Sequence, residues 1–391
     1  MWQTIPAYSV QSPDAKRVEY VQGVLDAFQE SSGFSIEAQI TGSDASAAMA
    51  KLIQQAGQGT APDVSMVDSY LAPRLAPNMT DLTSVIEDAG LSLDDWFPNL
   101  QDIMLRDGVP VALPMTTDLG VLYYRKDVVE TPPASWDDVY EIGKKLADQG
   151  MYFSLPAGNG ASPLMYAVLA PYLAQGAEIL NEDGSIGFAD GEGYDAMLGV
   201  LEYIGRCIEE GVTPSKVASY VTVDDQNADI LAGQVGMFLH GSWFPGQYAS
   251  LGGSGDFFEE WGVAPIPSAN GKDFATIAGG WSYGMFIEDE PEVVASAGEF
   301  LVDGWIGDEG MAKWCSVGGF LPARSSVYEH ADYTTNPFTE TFRDHLSKYA
   351  RTRPSHEAYS AVAAALGAAA SSVASGSRSP EDALKDAIAQ S

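Results

Sequence analysis

The sequence has little cysteine, little histidine and few cations, and each scarcity closes a class of function. Two cysteines in 391 residues, Cys207 and Cys315, are too few for a disulfide framework and too far apart for a metal knuckle. They leave a single bridge or two separate buried thiols, and the habit of free cysteine to pack as a small hydrophobe favours the second. Four histidines, with no H-E-x-x-H run and no cysteine pair, supply no ligand set for a transition metal, so neither a metal site nor a cofactor is expected. Twenty Lys and Arg stand against 54 Asp and Glu, a formal net charge of −34. Such a chain repels phosphate backbones and anionic headgroups, which excludes nucleic acid as a partner. The acidity suits a surface that keeps an exported protein soluble, or a salt-adapted host. No apolar run approaches the ~18 residues that a membrane span requires. Met1-Trp2-Gln3-Thr4 runs straight into a strand-like segment with no charged and apolar leader, so an exported form is expected to have lost its leader before Met1.

What the sequence does have is size and alternation. A chain of 391 residues exceeds the ~250 to 300 residues at which single cores stop growing, so two lobes are expected. Val18, Val21, Leu25 and Phe28 fall at helical spacing, Ser31-Ser32-Gly33 breaks the pattern, and Ile36, Ala38 and Ile40 alternate as a strand does. Ala48, Leu52 and Ile53 predict a second helix before the apolar run Val64 to Val67. Together these predict β-α-β crossovers and a parallel sheet. Val109, Val111 and Leu113, then Val121 to Tyr124, and later Val235 to Leu239 read as further strands. Ser135 with Asp138 forms a capping box for a helix through Val139, Ile142 and Leu146. Leu201, Ile204 and Ile208 mark another helix. Tyr359, Val362, Leu366 and Val373 mark a third, and Ser379-Pro380-Glu381-Asp382 opens the last. No linker or repeat divides the chain, so it is expected to cross between its lobes more than once.

Pro62-Asp63-Val64 leading to Asp68, Asp107-Gly108-Val109-Pro110-Val111-Ala112-Leu113-Pro114, and Leu122-Tyr123-Tyr124-Arg125-Lys126-Asp127 with Trp136 stand in one order and spacing. Gly241-Ser242-Trp243, Gly262 to Pro267, Gly279-Gly280-Trp281, Gly318 to Pro322, Arg353-Pro354 and Ser379 to Leu384 follow. The whole series resembles the family 1 extracellular solute-binding proteins of ABC importers, which include maltose and trehalose/maltose receptors. The resemblance implies an α/β, periplasmic-binding-protein-like fold of two doubly wound lobes joined by three hinge crossovers, near Leu113-Pro114, Ile266-Pro267 and Gly319 to Pro322. Lobe one would be residues 1–113 with 268–319, and lobe two 114–267 with 320–391. It also implies a monomeric receptor that performs no catalysis, sits in the periplasm or on the cell surface as a lipoprotein, and closes about its hinges on a carbohydrate in the interlobe cleft. Membrane permease subunits would receive the ligand, and since no Walker loop is present, a partner ATPase would supply the energy.

A sugar offers hydroxyls that need polar partners and apolar ring faces that need flat aromatic ones. Asp68 follows an apolar strand and Asp118 follows the first expected crossover, where carboxylates point into a cleft. Trp243 and Trp281 match the positions of stacking aromatics in the trehalose/maltose receptors, Gly280 lets backbone approach a ligand, and Arg353 matches a sugar-contacting arginine. Tyr8, Ser43 and Asp44 are placed by loop position, and Thr116 is a candidate from the pair just before the crossover acid, where a relative carries an aromatic. Two departures reshape the cleft. Ser43-Asp44-Ala45-Ser46-Ala47-Ala48 stands where a relative carries an arginine, and Thr116-Thr117 where one carries an aromatic.

Two enzymatic patterns compete. Gly280-Trp281-Ser282-Tyr283-Gly284 spells the nucleophile elbow of an ester hydrolase, with His330, His345 and His356 downstream. The elbow must run into a helix, whereas Tyr283 to Ile287 reads as a strand. Asp68 and Asp118 also fit the acid and nucleophile of a glycosidase in residue type alone. Asn181 to Ser185 begins like a calcium loop, but Ile186 occupies the position that requires glycine, so a turn is expected.

Overall fold

A computed structural model of the chain describes residues 1–42, 45–288 and 290–391. Its contacts divide it into two compact units, Met1–Asp118 with Gly279–Asn336, and Leu119–Ala278 with Pro337–Ser391. The chain therefore passes from unit to unit three times, each time later in the sequence than expected. Backbone pairing explains the first two displacements and the start of the third. Ala112–Pro114 pairs with Trp281–Met285, and Thr116–Thr117 pairs with Leu321–Pro322, which holds 114–118 and 320–322 in the first unit. Thr276–Ile277 pairs with Ala350–Arg351, which holds the end of 268–278 in the second.

The first unit is built on a five-stranded sheet in the order Ala38–Ile40, Trp2–Thr4, Val64–Asp68, Trp281–Met285, Ala112–Pro114. The first three strands are parallel because helices Ala15–Ser32 and Ala45–Gly57 form the crossovers between them. Asp14 opens the first of these helices by accepting the N–H groups of Lys16 and Arg17, and Gly33 closes it in the left-handed region at φ 73°. Trp281–Met285 runs antiparallel to both of its neighbours, so the sheet is mixed rather than purely parallel. Side-chain alternation carries no strand direction, which is set by connections a local pattern does not contain.

The second unit has a four-stranded sheet in the order Trp261–Ala264, Gly120–Arg125, Val235–Gly241, Tyr152–Ser154. Gly120–Arg125 is antiparallel to both neighbours, and Tyr152–Ser154 is parallel to Val235–Gly241. Every residue of Val235–Gly241 is buried, as befits a central strand. Helix Trp136–Ala147 starts from the predicted box, with Ser135 Oγ accepting the Asp138 N–H and the Asp138 carboxylate accepting the Ser135 N–H at 2.9 Å. Helices Gly191–Glu209, Tyr359–Ala374 and Pro380–Gln390 belong to the same unit. The 181–186 segment is a turn, with Asp183 accepting from both N–H and hydroxyl of Ser185. Cys207 and Cys315 are free, buried thiols, and burial raises the pKa of each.

His345, buried in helix Thr339–Tyr349 against the Tyr349 ring, titrates abnormally. Burial, reinforced by Lys348 and opposed by Asp344, lowers its pKa from 6.5 to about 4. Between those values the unfolded chain binds a proton that the folded chain refuses, so stability falls as pH drops through the window. The full difference amounts to roughly 3 kcal/mol. His345→Gln is expected to flatten the pH dependence of unfolding between pH 6.5 and 4, measured by urea melts. Parallel curves for the variant and the parent would contradict the assignment.

Candidate functional site

Ligands of open α/β sheets lie beyond the carboxyl ends of the parallel strands. In the first unit this is where the sequence-selected residues gather. Asp68 is the last residue of Val64–Asp68, its N–H donating to Met49 Sδ at 3.3 Å. Trp281 faces it across the antiparallel pair, so the carboxylate and the indole lie side by side on one face. Tyr8 sits in the short 3-10 turn Pro6–Tyr8 that follows strand Trp2–Thr4. Its ring centroid lies 6.1 Å from that of Trp281 and stacks on Phe320 at 5.1 Å with 12° between planes.

Backbone bonds fix Trp281 in place. Its N–H donates to Thr116 Oγ1 at 3.3 Å and its carbonyl accepts from Met115 at 2.9 Å. Gly280 precedes it at φ 110°, and a Cβ there would stand 2.0 Å from the Thr116 carbonyl oxygen. Only glycine fits that conformation and that contact. The Gly280 carbonyl accepts the Ser69 N–H at 3.1 Å, and the Gly279 N–H reaches the Asp118 carbonyl at 3.4 Å. Burial holds the Tyr8 phenol far above its usual pKa. The Arg17 guanidinium works against burial, the Asp118 carboxylate with it, and the Thr116 hydroxyl against it. The phenol is thus a neutral hydrogen-bonding group at any physiological pH.

Tyr8, Asp68, Thr116, Asp118, Gly280 and Trp281 therefore belong to one connected set. Asp118 and Thr116, expected in lobe two, are in the first unit, because their strand pairs with Leu321–Pro322 and their loop with Gly279. Trp281 is half-buried, with its inner side packed on a core cluster that includes Met49, Leu52 and Leu71. Sequence reasoning missed Phe320 and Arg17. Arg17 is buried, donates to the Gly318 carbonyl at 2.8 Å and lies 4.8 Å above the Phe320 ring, which in turn carries Tyr8. An aromatic directly after Gly318-Gly319 was the available signal.

In the second unit, Trp243 follows strand Val235–Gly241 and precedes helix Phe244–Tyr248, half-buried. The turn before it is pinned by Ser242, whose N–H donates to the Leu119 carbonyl at 2.9 Å. Arg353 follows Ala350–Arg351, also half-buried. Ser43 and Asp44 lie outside the described residues.

A family profile described as a bacterial extracellular solute-binding protein matches residues 23–341. The chain belongs to this family. Membership places the solute-binding protein outside the cytoplasm, and among its described residues no helix is long and apolar enough to cross a membrane. One curated relative is a probable amino-acid ABC transporter periplasmic-binding protein of Sinorhizobium fredii, 22% identical over 65% of this chain and 58% of its own length. Another is the maltodextrin-binding protein MdxE of Bacillus subtilis, 24% identical over 60% of this chain and 54% of its own. The solute-binding protein thus spans under two thirds of the length of either. Among solved structures, a cyclic alpha-maltosyl-1,6-maltose binding protein from Arthrobacter globiformis shares its fold with a TM-score of 0.74. That protein is 23% identical, and the match covers 100% of this chain and 96% of that one.

Ser282 of the solute-binding protein does not occupy an elbow. It lies in the interior of strand Trp281–Met285, fully buried, with its hydroxyl 2.8 Å from that of Ser69. A nucleophile elbow needs a strand-to-helix turn and a base, and here the neighbour is a second hydroxyl.

Proposed function

We propose that this protein is the substrate-binding component of an ABC importer and that its solute is a carbohydrate, received on the first unit by Tyr8, Asp68, Thr116, Asp118, Gly280 and Trp281. Trp243 and Arg353 are assigned as further contacts from the second unit. The observation that carries this reading is the pairing of Asp68 with Trp281 on adjacent strands, beside Tyr8. An indole offers the flat apolar face that a pyranose ring needs, and a carboxylate next to it accepts from hydroxyls at the ring's edge. A free amino acid instead needs paired opposite charges for its ammonium and carboxylate. The first unit's set has two carboxylates, and the guanidinium nearest to it, on Arg17, is buried against Phe320 with Nη2 donating to the Gly318 carbonyl. The maltodextrin-binding and cyclic maltosyl-maltose-binding relatives add weight to a saccharide. The protein is read as a non-enzyme that releases the sugar unaltered to permease subunits.

A thermal-shift screen of saccharides against amino acids tests the class, since a ligand of the folded state raises its melting temperature. Saccharides are expected to stabilise, and to be recovered intact. Stabilisation by amino acids alone would sink the carbohydrate reading. Trp281→Ala is then expected to weaken the best saccharide by about 2 kcal/mol, roughly 30-fold, by calorimetry. Parental affinity in a folded Trp281→Ala variant would remove the site assignment.

A further inference from the structure

The notable arrangement outside the first unit's set lies beneath Trp243. Its neighbour His240 is fully buried at the end of strand Val235–Gly241. The Gly241 N–H donates to His240 Nδ1 at 2.8 Å, which requires Nδ1 to be unprotonated. The proton of the neutral ring is therefore on Nε2, which faces Asp224 Oδ1 at 3.3 Å. Asp224 is itself held in place. Asn227 Nδ2 donates to the same oxygen at 3.3 Å, and two residues further on from Asp224 the buried Gln226 donates to the Leu239 carbonyl at 2.7 Å. The segment Val223–Gln226 thus grips Leu239 and His240 in succession, the last two residues before Gly241.

Trp243 rests on this clamp in two ways. Its ring meets the His240 imidazole edge-to-face, with centroids 5.8 Å apart and 72° between planes. Its six-membered ring also covers Gly241, where a Cβ would stand 2.1 to 2.4 Å from Cζ3, Cη2 and Cε3. The indole is thus seated on bare backbone and against an imidazole whose Nδ1 accepts from Gly241 and whose Nε2 faces Asp224.

We infer that Asp224, His240 and Gly241 form a seat that sets the orientation of the Trp243 indole, with His240 as a positioning residue for solute binding. The binding consequence rests on the reading that Trp243 touches the solute; the seat itself does not. His240 touches no ligand in this scheme and acts through Trp243 alone. A ring packed on one side and half-exposed on the other can present its free face in a single orientation, which removes the rotamer entropy that a solute would otherwise have to overcome.

The test uses the full chain labelled with 5-fluorotryptophan, the Trp243 resonance being identified among the eight tryptophans by its loss in Trp243→Phe. In ligand-free protein, His240→Ala and Asp224→Ala are each expected to shift or broaden that line and leave the other indoles in place. His240→Asn, whose Oδ1 can take over the Gly241 N–H, is expected to restore it in part. With the best saccharide from the thermal-shift screen, His240→Ala is expected to lower affinity about fivefold in the parent and not at all in a Trp243→Ala background. An unchanged Trp243 line in both folded alanine variants overturns the seat, as do equal affinity losses with and without Trp243. If His240→Ala fails to fold, Asp224→Ala, whose side chain is exposed, decides alone. If Trp243→Ala leaves affinity unaltered, the assignment of Trp243 as a solute contact falls, and the fluorine spectra still judge the seat.

Discussion

Gly280→Ala is expected to cost the folded protein about 4 kcal/mol, the sum of a strained backbone and an overpacked one. At φ 110° the position lies where residues with a side chain are rarely found, and the added methyl would also meet backbone. It would stand 2.0 Å from the Thr116 oxygen, 2.8 Å from the Thr116 carbonyl carbon and 2.9 Å from the Thr117 Cα. Flexible side-chain ends can give way; these atoms belong to the strand that pairs with Leu321–Pro322 and cannot. The proper control is Gly176→Ala, at φ 78° with nothing within 4 Å, where conformation alone is penalised and about 1 kcal/mol is expected. Urea denaturation of the two variants would show the difference, and matching midpoints would mean that the Thr116 contact carries no cost. Saccharide affinity is expected to fall with stability in Gly280→Ala only, since relief of the clash displaces Trp281.

Arg324→Ala is expected to cost about 3 kcal/mol for an electrostatic reason. The guanidinium is buried, with Nε 2.9 Å from Asp95 Oδ2 and Nη1 2.7 Å from Asp308 Oδ1, and Nη1 also donates to the Ile306 carbonyl at 3.0 Å. Its plane lies 5.2 Å from the centre of the Trp96 ring. Asp308 is exposed enough to be rehydrated once the arginine is gone. Asp95 is not, and an uncompensated buried carboxylate is what makes breaking such a pair expensive. Asp95 retains only the N–H and hydroxyl of Ser326, at 2.8 and 2.6 Å. Asp95→Asn combined with Arg324→Ala is therefore expected to recover more than 1 kcal/mol relative to the sum of the single changes. Strict additivity in that cycle would show that the arginine stabilises through packing alone.

What could be read from the sequence was what is encoded locally. The helix opened by Ser135 and Asp138 was legible because a cap and its partner stand three residues apart, and the apolar strand ending at Asp68 because the run is short and bounded by breakers. The residues grouped around Trp281 were found through motif and loop positions, and the structure brings six of them into one set. Long-range pairing was not legible. The antiparallel entry of Trp281–Met285, the attachment of Thr116 and Asp118 to the first unit and the stacking of Phe320 on Tyr8 all depend on partners up to some 300 residues away. No window of sequence contains both members of such a pair. His240 was invisible for a different reason: one buried histidine in an apolar strand has no pattern, and its role emerges only from Asp224 on one side and an indole on the other.

The order of strands in the first sheet has a consequence for synthesis. Trp281–Met285 is inserted between Val64–Asp68 and Ala112–Pro114, so both of those strands leave the ribosome long before the one that joins them. Until residue 285 has been made, the nascent chain carries two apolar strands with open edges, the condition under which chaperones are recruited and premature compaction fails. The delay before this sheet can close is thus written into its strand order.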